Sequence, residues 1–259
     1  MLAVERQRRI LELLRAGGSL RTSDTAEALG VSDETIRKDF EVLEGRGELV
    51  RSHGGASRVR GMLGDLGFLE RRALQREEKL AIARLAVERI QPNETIFLDA
   101  SSTVLTLAEC LPDIPLTVLT NALTVLTALA ERPHFELMST GGLFDSKSRS
   151  FIGLTAERSL QRYNIHRAFL SGRGLDVGRG ASESNSRQAA FKERVIASAE
   201  EVVFLADHTK LGRKASFFFA DVTDFDCVMT DGAADRQWLC ELEGRGVEVI
   251  QATSAPKSS

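Results

Sequence analysis

Nowhere in this chain do about 18 apolar residues run together, so the sequence predicts no helix that crosses a membrane. Cysteine is equally scarce. Cys110, Cys227 and Cys240 are odd in number, no pair has C-x-x-C spacing, and no histidine cluster lies beside them. That pattern excludes a disulfide scaffold and a metal site, and predicts that the three thiols are small buried apolar groups. An apolar signal core is missing too. Met1 leads directly to Glu5, Arg6, Arg8 and Arg9, so a cytoplasmic protein is expected. The chain also lacks a surplus of positive charge: its formal net charge is −3, with 11 Lys/Arg against 10 Asp/Glu in residues 1–60 and 23 against 27 in the rest. Affinity for nucleic acid therefore cannot be read from bulk charge and depends on where the basic groups sit.

What is present is the composition of an ordinary soluble globular protein, 42% apolar and 27% charged, with room in 259 residues for one small and one medium domain. Ile10, Leu13 and Leu14 share one face of a helix over about residues 4–16, which Gly17-Gly18 ends. After an extended link at Leu20-Arg21, Thr22 is expected to cap a second helix over about 23–29, with Ala26 and Leu29 inward. Gly30 makes a turn around Val31. Ser32 then caps a third helix over about 33–45, whose first turn carries Asp33 and Glu34, where the helix dipole favours acids. Ile36, Phe40 and Leu43 form its buried stripe. Two short helices joined by a Gly-Val-Ser turn predict a helix-turn-helix, with the second helix free to enter a major groove. Ser32, Thr35, Arg37 and Lys38 lie at its start or opposite the apolar stripe, where base edges and phosphates would meet them. Residues 48–56 read as a strand, a glycine turn and a returning strand. This is a wing that offers Arg51, His53 and Arg58 to phosphates. The alternative is a helical subdomain whose basic groups are a solvated face.

Residues 58–75 read as a linker, with Gly61, Gly64 and Gly67 among charged residues. From residue 76 to 252 helices alternate with short apolar runs at Thr95–Leu98, Leu116–Leu119, Phe135–Met138, Ala168–Leu170, Val202–Leu205, Cys227–Met229 and Val247–Ile250. That alternation predicts an α/β domain on a mostly parallel sheet covered on both faces. Residues 253–259 read as a tail. Polar and glycine residues follow the strand ends: Asp99, Ser101, Ser102 and Thr103; Thr120 and Asn121; Gly141 and Gly142; Ser171, Gly172, Arg173 and Gly174; and Asp207 to Lys210. Ligands of open α/β sheets bind at that edge. Ser101 to Thr103 open a helix whose free N–H groups suit a phosphate, and Lys192, Lys210 and Arg213 could supply charge to it. Each loop alone would pass for a cap, a turn or a solvated lysine. Five on one edge predict a small polar-ligand site.

The residues Arg6 to Ile10, Leu29-Gly30-Val31-Ser32, Thr35-Ile36-Arg37-Lys38-Asp39-Phe40 and His53-Gly54-Gly55-Ala56 resemble the N-terminal domain of DeoR-family regulators. The resemblance continues to about residue 232. It implies a winged helix-turn-helix domain (1–57) and an effector-sensing domain related in fold to ribose-5-phosphate isomerase (76–252). It also implies double-stranded operator DNA and a phosphorylated sugar as partners, and a homodimer or homotetramer with no membrane role, no cofactor and no catalytic residue. Ser101 stands where the family's phosphate loop more often has glycine. Ser171-Gly172-Arg173-Gly174 replaces a common G-A-D-G, and Gln188 takes a place where an acid is frequent. With Ser184-Asn185 and Asp207-His208, these loops look closest to regulators of the fucose-operon type. The expectation is a repressor of a sugar-catabolism operon relieved by a phosphorylated sugar. The rivals are an activator of the same build, an aldose–ketose isomerase using an acid such as Asp176 or Glu183 as base, and a pure dimerisation module.

Overall fold

A computed structural model describes residues 2–17, 19–45, 49–52, 54–57 and 68–253. His53 and Arg58, the first ten residues of the expected linker and nearly all of the expected tail lie outside the described residues. The chain divides into two compact units, Met1–Asp65 and Leu66–Ser259.

In the first unit, α1 (Ala3–Gly17) is followed by β1 (Ser19–Arg21), α2 (Thr22–Leu29), α3 (Asp33–Gly45), β2 (Val50–Ser52) and β3 (Gly55–Ser57). Ile10 and Leu14 of α1, Ala26 and Leu29 of α2, and Ile36, Phe40 and Leu43 of α3 close one core with Leu49 and Ala56. The turn between α2 and α3 rests on Gly30, whose φ of 64° lies in the left-handed region that favours glycine. No neighbour crowds its missing Cβ, so the demand there is on the backbone and not on space. Ser32 Oγ accepts from Thr35 N at 3.3 Å, the cap expected for α3. The expected cap at Thr22 is not found. α2 begins at Thr22 itself, and its N-cap Arg21 makes no side-chain cap bond. The reason is the strand the sequence reading took for a plain link: β1 pairs with β3 in a three-stranded sheet of order β1-β3-β2, and Thr22 N is taken by Gly54 O at 2.9 Å. A buried ionic clasp joins α1 to α3. Asp39, 3% exposed, accepts from Arg6 Nε at 2.5 Å and Gln7 Nε2 at 2.9 Å.

The second unit opens with α4 (Phe68–Ala73), inside the stretch read as linker, where Phe68 is buried in the core. There follow α5 (Arg76–Glu88), β4 (Thr95–Leu98), α6 (Ser102–Glu109), β5 (Leu116–Thr120), α7 (Leu123–Leu129), β6 (Phe135–Ser139), the hairpin β7 (Leu143–Asp145) and β8 (Ser150–Ile152), and α8 (Leu154–Leu160). Then come β9 (Ile165–Leu170), β10 (Gly174–Asp176), β11 (Gly180–Glu183), α9 (Ser186–Ile196), β12 (Ala199–Leu205), β13 (Phe217–Ala220), β14 (Cys227–Thr230), α10 (Arg236–Glu243) and β15 (Glu248–Gln251). Seven strands form one parallel sheet in the order β15-β14-β12-β9-β4-β5-β6. Alternate residues of a strand enter different cores: Ile96 and Leu98 pack with α5 and α6 residues, and Phe97 packs with Phe191 of α9 on the other face. A small antiparallel sheet, β10-β11-β13, covers part of that second face.

The strand order fixes where a ligand can sit. From β4 the chain moves outward to β5 and β6, then returns to the far side of β4 as β9 and moves outward the other way. The order reverses between β4 and β9, and the crevice beyond the C-terminal ends of two such strands is where open α/β sheets bind ligands. Of the three thiols only Cys227 is buried as expected. Cys110 is half-buried, and Cys240 is exposed on the outer side of α10.

Asp39→Ala in the full-length chain leaves Arg6 and Gln7 without their shared acceptor and lowers the stability of the first unit by about 3 kcal/mol. Faster hydrogen exchange of the Ile36–Leu43 amides reads this loss, and exchange unchanged from the parent would show that the clasp contributes nothing.

Candidate functional site

The candidate site forms at the strand-order reversal from the loops after β4, β9 and β12 together with α9 and β11. At its base is Lys192, on the inner face of α9 and only 1% exposed. Its ammonium lies 3.0 Å from Asp99 Oδ2 and 2.7 Å from Glu183 Oε1, and also donates to Ser171 O. The Phe219 ring stands 5.3 Å away. These groups use all three N–H bonds that a lysine has. Burial would push the Lys192 ammonium down, but the two carboxylates outweigh it and hold it above its ordinary value. Glu183 would likewise be raised by burial, and the charges of Lys192 and Arg173 hold it below the usual carboxylate range instead. Asp99 goes the other way. Its complete burial raises it, and Glu183 adds to the rise, so Lys192 only partly restores it.

Above this base reaches Lys210, from a short 3-10 turn over His208–Lys210. Its Nζ lies 3.0 Å from Thr103 Oγ1, 2.9 Å from Ser171 Oγ and 3.6 Å from Asp207 Oδ2. Burial lowers its pKa, Asp207 opposes that, and Lys192 and Arg173 add to the lowering. Ser171 Oγ donates onward to Leu205 O at 2.6 Å, which ties the β9 and β12 ends together. The loops approach closely at Gly174, where a Cβ would stand 2.2 Å from the backbone oxygen of Arg213. Only glycine leaves that room.

Two buried acceptors here are matched by no donor among the described residues: Asp99 Oδ1 and Asn121 Oδ1. They follow the adjacent strands β4 and β5. Asn121 Nδ2 is held by Phe151 O at 3.2 Å, so its oxygen is fixed in place. The only other buried unmatched side-chain atoms among the described residues are the hydroxyls of Thr124 and Thr230.

The structure thus brings Asp99, Thr103, Ser171, Lys192 and Lys210 together. Ser101 is the N-cap of α6, accepting from Val104 N at 3.1 Å, and Ser102 is buried in its first turn. Thr120 is committed to structure, donating to Leu98 O at 2.6 Å and accepting from Ala122 N at 3.0 Å. Arg173 lies 3.6 Å from Glu183. Its backbone N–H, after Gly172, donates to Ser182 O at 2.8 Å. Gly141 and Gly142 form the turn between β6 and β7. Two assignments change. Lys192 organises the site instead of supplying charge to a ligand, because its donors are all used inside the protein. Arg213 is exposed and contributes its backbone to the packing at Gly174 instead of a guanidinium to an anion.

In the first unit Ser32, Arg37 and Lys38 are exposed along the start of α3, and Ser32 Oγ lies 2.9 Å from Thr35 Oγ1. Arg51 is not an uncommitted phosphate ligand as expected. Its Nε donates to Glu44 Oε2 at 2.8 Å and its backbone N to Oε1 at 2.9 Å. A cation beside a carboxylate offers less to a phosphate than one that stands alone.

The sequence reading missed Glu183 as the partner of a buried lysine. It also missed Lys79 of α5, 3% exposed. Helical spacing put Lys79 on the same face as Ala83 and Ala86, a position where a lysine is usually expected to snorkel outward.

Comparison with known proteins agrees with both units. Residues 6–60 match the DeoR-like helix-turn-helix domain, and residues 74–232 match the DeoR C terminal sensor domain. The HTH-type transcriptional regulator YulB of Bacillus subtilis is 38% identical over 100% of this chain and 99% of its own. The L-fucose operon activator of Haemophilus influenzae is 33% identical over 86% of this chain and 89% of its own. The HTH-type transcriptional repressor GlcR of Bacillus subtilis is 28% identical over 96% of each. Ribose 5-phosphate isomerase A of Methanocaldococcus jannaschii overlays 52% of this chain and 54% of its own at 16% identity and a TM-score of 0.40, too slight a likeness to bear on function.

Glu183→Gln leaves the buried Lys192 short of a charge partner and lowers the stability of the second unit by about 3 kcal/mol at neutral pH. A carboxylate held low contributes stability above its unfolded value, here the ordinary 4.5, and loses it as the pH falls through its lower folded value. Denaturant midpoints between pH 7 and pH 3 should therefore fall less steeply in the variant. Parallel slopes would remove Glu183 from that role.

Proposed function

The chain belongs to the DeoR family of DNA-binding transcriptional regulators, and from that premise we propose that it represses a sugar-catabolism operon until a phosphorylated sugar occupies the strand-end site. The family and the names of its relatives are those of regulators and not of enzymes. The observation that carries the ligand reading is the pairing of opposite needs at the strand-order reversal. Lys210, beside Thr103 at the start of α6, offers positive charge and helix N–H groups to an anion. Asp99 Oδ1 and Asn121 Oδ1, buried and unmatched, ask for hydroxyl donors. A ligand with an anionic end and a hydroxylated body meets both, and a phosphorylated sugar is such a ligand. Isomerase chemistry has no support of this kind, since a general base must be open to the substrate's proton and Glu183 is held by Lys192 and Arg173.

For DNA, the supporting feature is the exposed row of Ser32, Arg37 and Lys38 at the start of the second helix of the motif, with Thr35 beside them. Side chains of that helix read base edges when it lies in the major groove. We take the DNA-bound state to be a homodimer or homotetramer, because paired helices read paired half-sites. The second reading, an activator, is favoured by the printed function of the Haemophilus influenzae relative. The same architecture serves either sign, because the sign follows from where the operator lies relative to the promoter.

Arg37→Ala weakens binding to genomic fragments selected by the full-length protein by about 1–3 kcal/mol if Arg37 reads a base. Equal affinity of a folded variant and its parent for those fragments would take Arg37 out of the interface. Lys210→Ala keeps that binding and no longer responds to any member of a panel of sugar phosphates that releases the parent from DNA. A parent released by none of them, at concentrations up to the millimolar range, would overturn the effector reading.

A further inference from the structure

We infer that Asp231, which directly follows β14, is a positioning residue of the strand-end site: through His208 it holds the turn that aims Lys210. The inference rests on the reading of that site as an anion sensor. Lys210 has three N–H bonds. Two go to hydroxyls, Thr103 Oγ1 at 3.0 Å and Ser171 Oγ at 2.9 Å. The third makes no hydrogen bond among the described residues, with Asp207 Oδ2 3.6 Å from the nitrogen, and is the one left for an anion. Its direction follows from where the turn puts the lysine.

A turn of three residues has too few bonds of its own to stay in place. Within the turn over His208–Lys210, Lys210 N donates to Asp207 O at 2.9 Å and Leu211 N to His208 O at 3.3 Å. Its place over the sheet edge is therefore set from outside, at three points. Asp231 Oδ2 accepts from His208 N at 2.6 Å, and Asp231 Oδ1 stands 3.0 Å from His208 Nδ1. An ionised carboxylate only accepts, so Nδ1 carries the proton and donates. Gly212 N donates to Leu175 O of β10 at 2.8 Å. Trp238 of α10 lies against Gly212, where a Cβ would stand 2.6 Å from the indole Cζ2.

Asp231 is built as a fixed point. It is buried, Ala233 N donates to its Oδ1 at 2.9 Å, and Gln251 Nε2 of β15 donates to its backbone oxygen at 3.3 Å. In the sheet β12 lies between β14 and β9, and at about 4.8 Å per strand the β14 end stands about 10 Å from the β9 end. The turn thus spans β12 between two anchors, Asp231 on one side and the hydroxyls of Thr103 and Ser171 on the other. Asp231 acts on a ligand without touching it. Once the His208 contact is cut, the cost of ordering the Lys210 side chain falls on the binding step.

Trp238 is the only tryptophan of the chain, so its emission reports on the turn it covers. The test combines calorimetry of the full-length chain with inorganic sulfate and acrylamide quenching of Trp238. His208→Ala binds sulfate about tenfold more weakly than the parent, the scale of one hydrogen bond to a charged group, and its Trp238 is quenched more readily. His208→Asn places an amide N–H where the Nδ1–H stood and returns both readings toward the parent. Asp231→Ala matches His208→Ala in both. Where Asp231→Ala fails to fold, the two His208 variants decide the matter alone. Parent-like affinity in His208→Ala, or His208→Asn no better than His208→Ala, overturns the positioning role. So does weaker binding by His208→Ala with Trp238 quenched as in the parent, which assigns His208 to direct contact with the anion. In each of these cases the loss of sulfate binding in Lys210→Ala keeps the site reading standing. No sulfate binding by the parent, or parent-like binding by Lys210→Ala, overturns the site reading itself and this inference with it.

Discussion

The second unit depends on one buried ammonium. Lys192 stands where the β4 end, the β9 end, β11 and α9 meet, and each of the first three supplies one of its acceptors: Asp99, Ser171 O and Glu183. Removing water from such a group is expensive, and only complete pairing makes the burial tolerable. The three loops therefore hold their positions together or not at all. This gives Lys210 fixed hydroxyls to reach, on Thr103 and Ser171. It also leaves two carboxylates sharing one ammonium at the base of the site.

The opposite end of the same sheet shows what a closed network looks like. Arg167 bridges Glu94 and Glu201 at 2.7 Å each and donates to Arg89 O at 2.6 Å, while Arg89 pairs with Glu201 and Glu248 at 2.9 Å each. Charges there answer one another across four parallel strands or their leading loops. At the C-terminal end, by contrast, Asp99 Oδ1 and Asn121 Oδ1 have no donor among the described residues. Native interiors rarely leave such acceptors unmatched without reason, and this contrast within a single sheet sets its two ends apart.

Much of this was legible in the sequence. The seven sheet strands could be read because parallel strands buried on both faces are nearly unbroken apolar runs, as at Thr95–Leu98 and Val202–Leu205. The helix-turn-helix was legible from Gly30, Ser32 and the stripe of Ile36, Phe40 and Leu43. The small sheet β10-β11-β13 was not, because its strands are three or four residues long and two of them open with glycine. Periodicity needs more length than that to declare itself. α4 was hidden for the same reason, six residues long with Phe68 buried at its start. The loops of the candidate site could be picked out because polar residues follow the apolar strands at the edge where α/β sheets bind ligands. Roles within them were harder to assign. Sequence shows that a lysine is present but not whether its charge is already spent, so Lys192 and Arg51 were taken for ligand contacts when Asp99, Glu183 and Glu44 had claimed them. The clasp at Asp39 was equally silent, because its partners lie more than thirty residues away.

A filled site is not yet a switch. A ligand that bound equally well to a DNA-gripping and a DNA-releasing arrangement would move neither population, however tightly it bound. A tenfold change in operator affinity requires about 1.4 kcal/mol of difference in ligand binding between the two arrangements. Hydrogen bonds made by Lys210 within the site cannot supply this if they are the same in both. The difference must reside in groups that touch the ligand on one side and a structural element on the other.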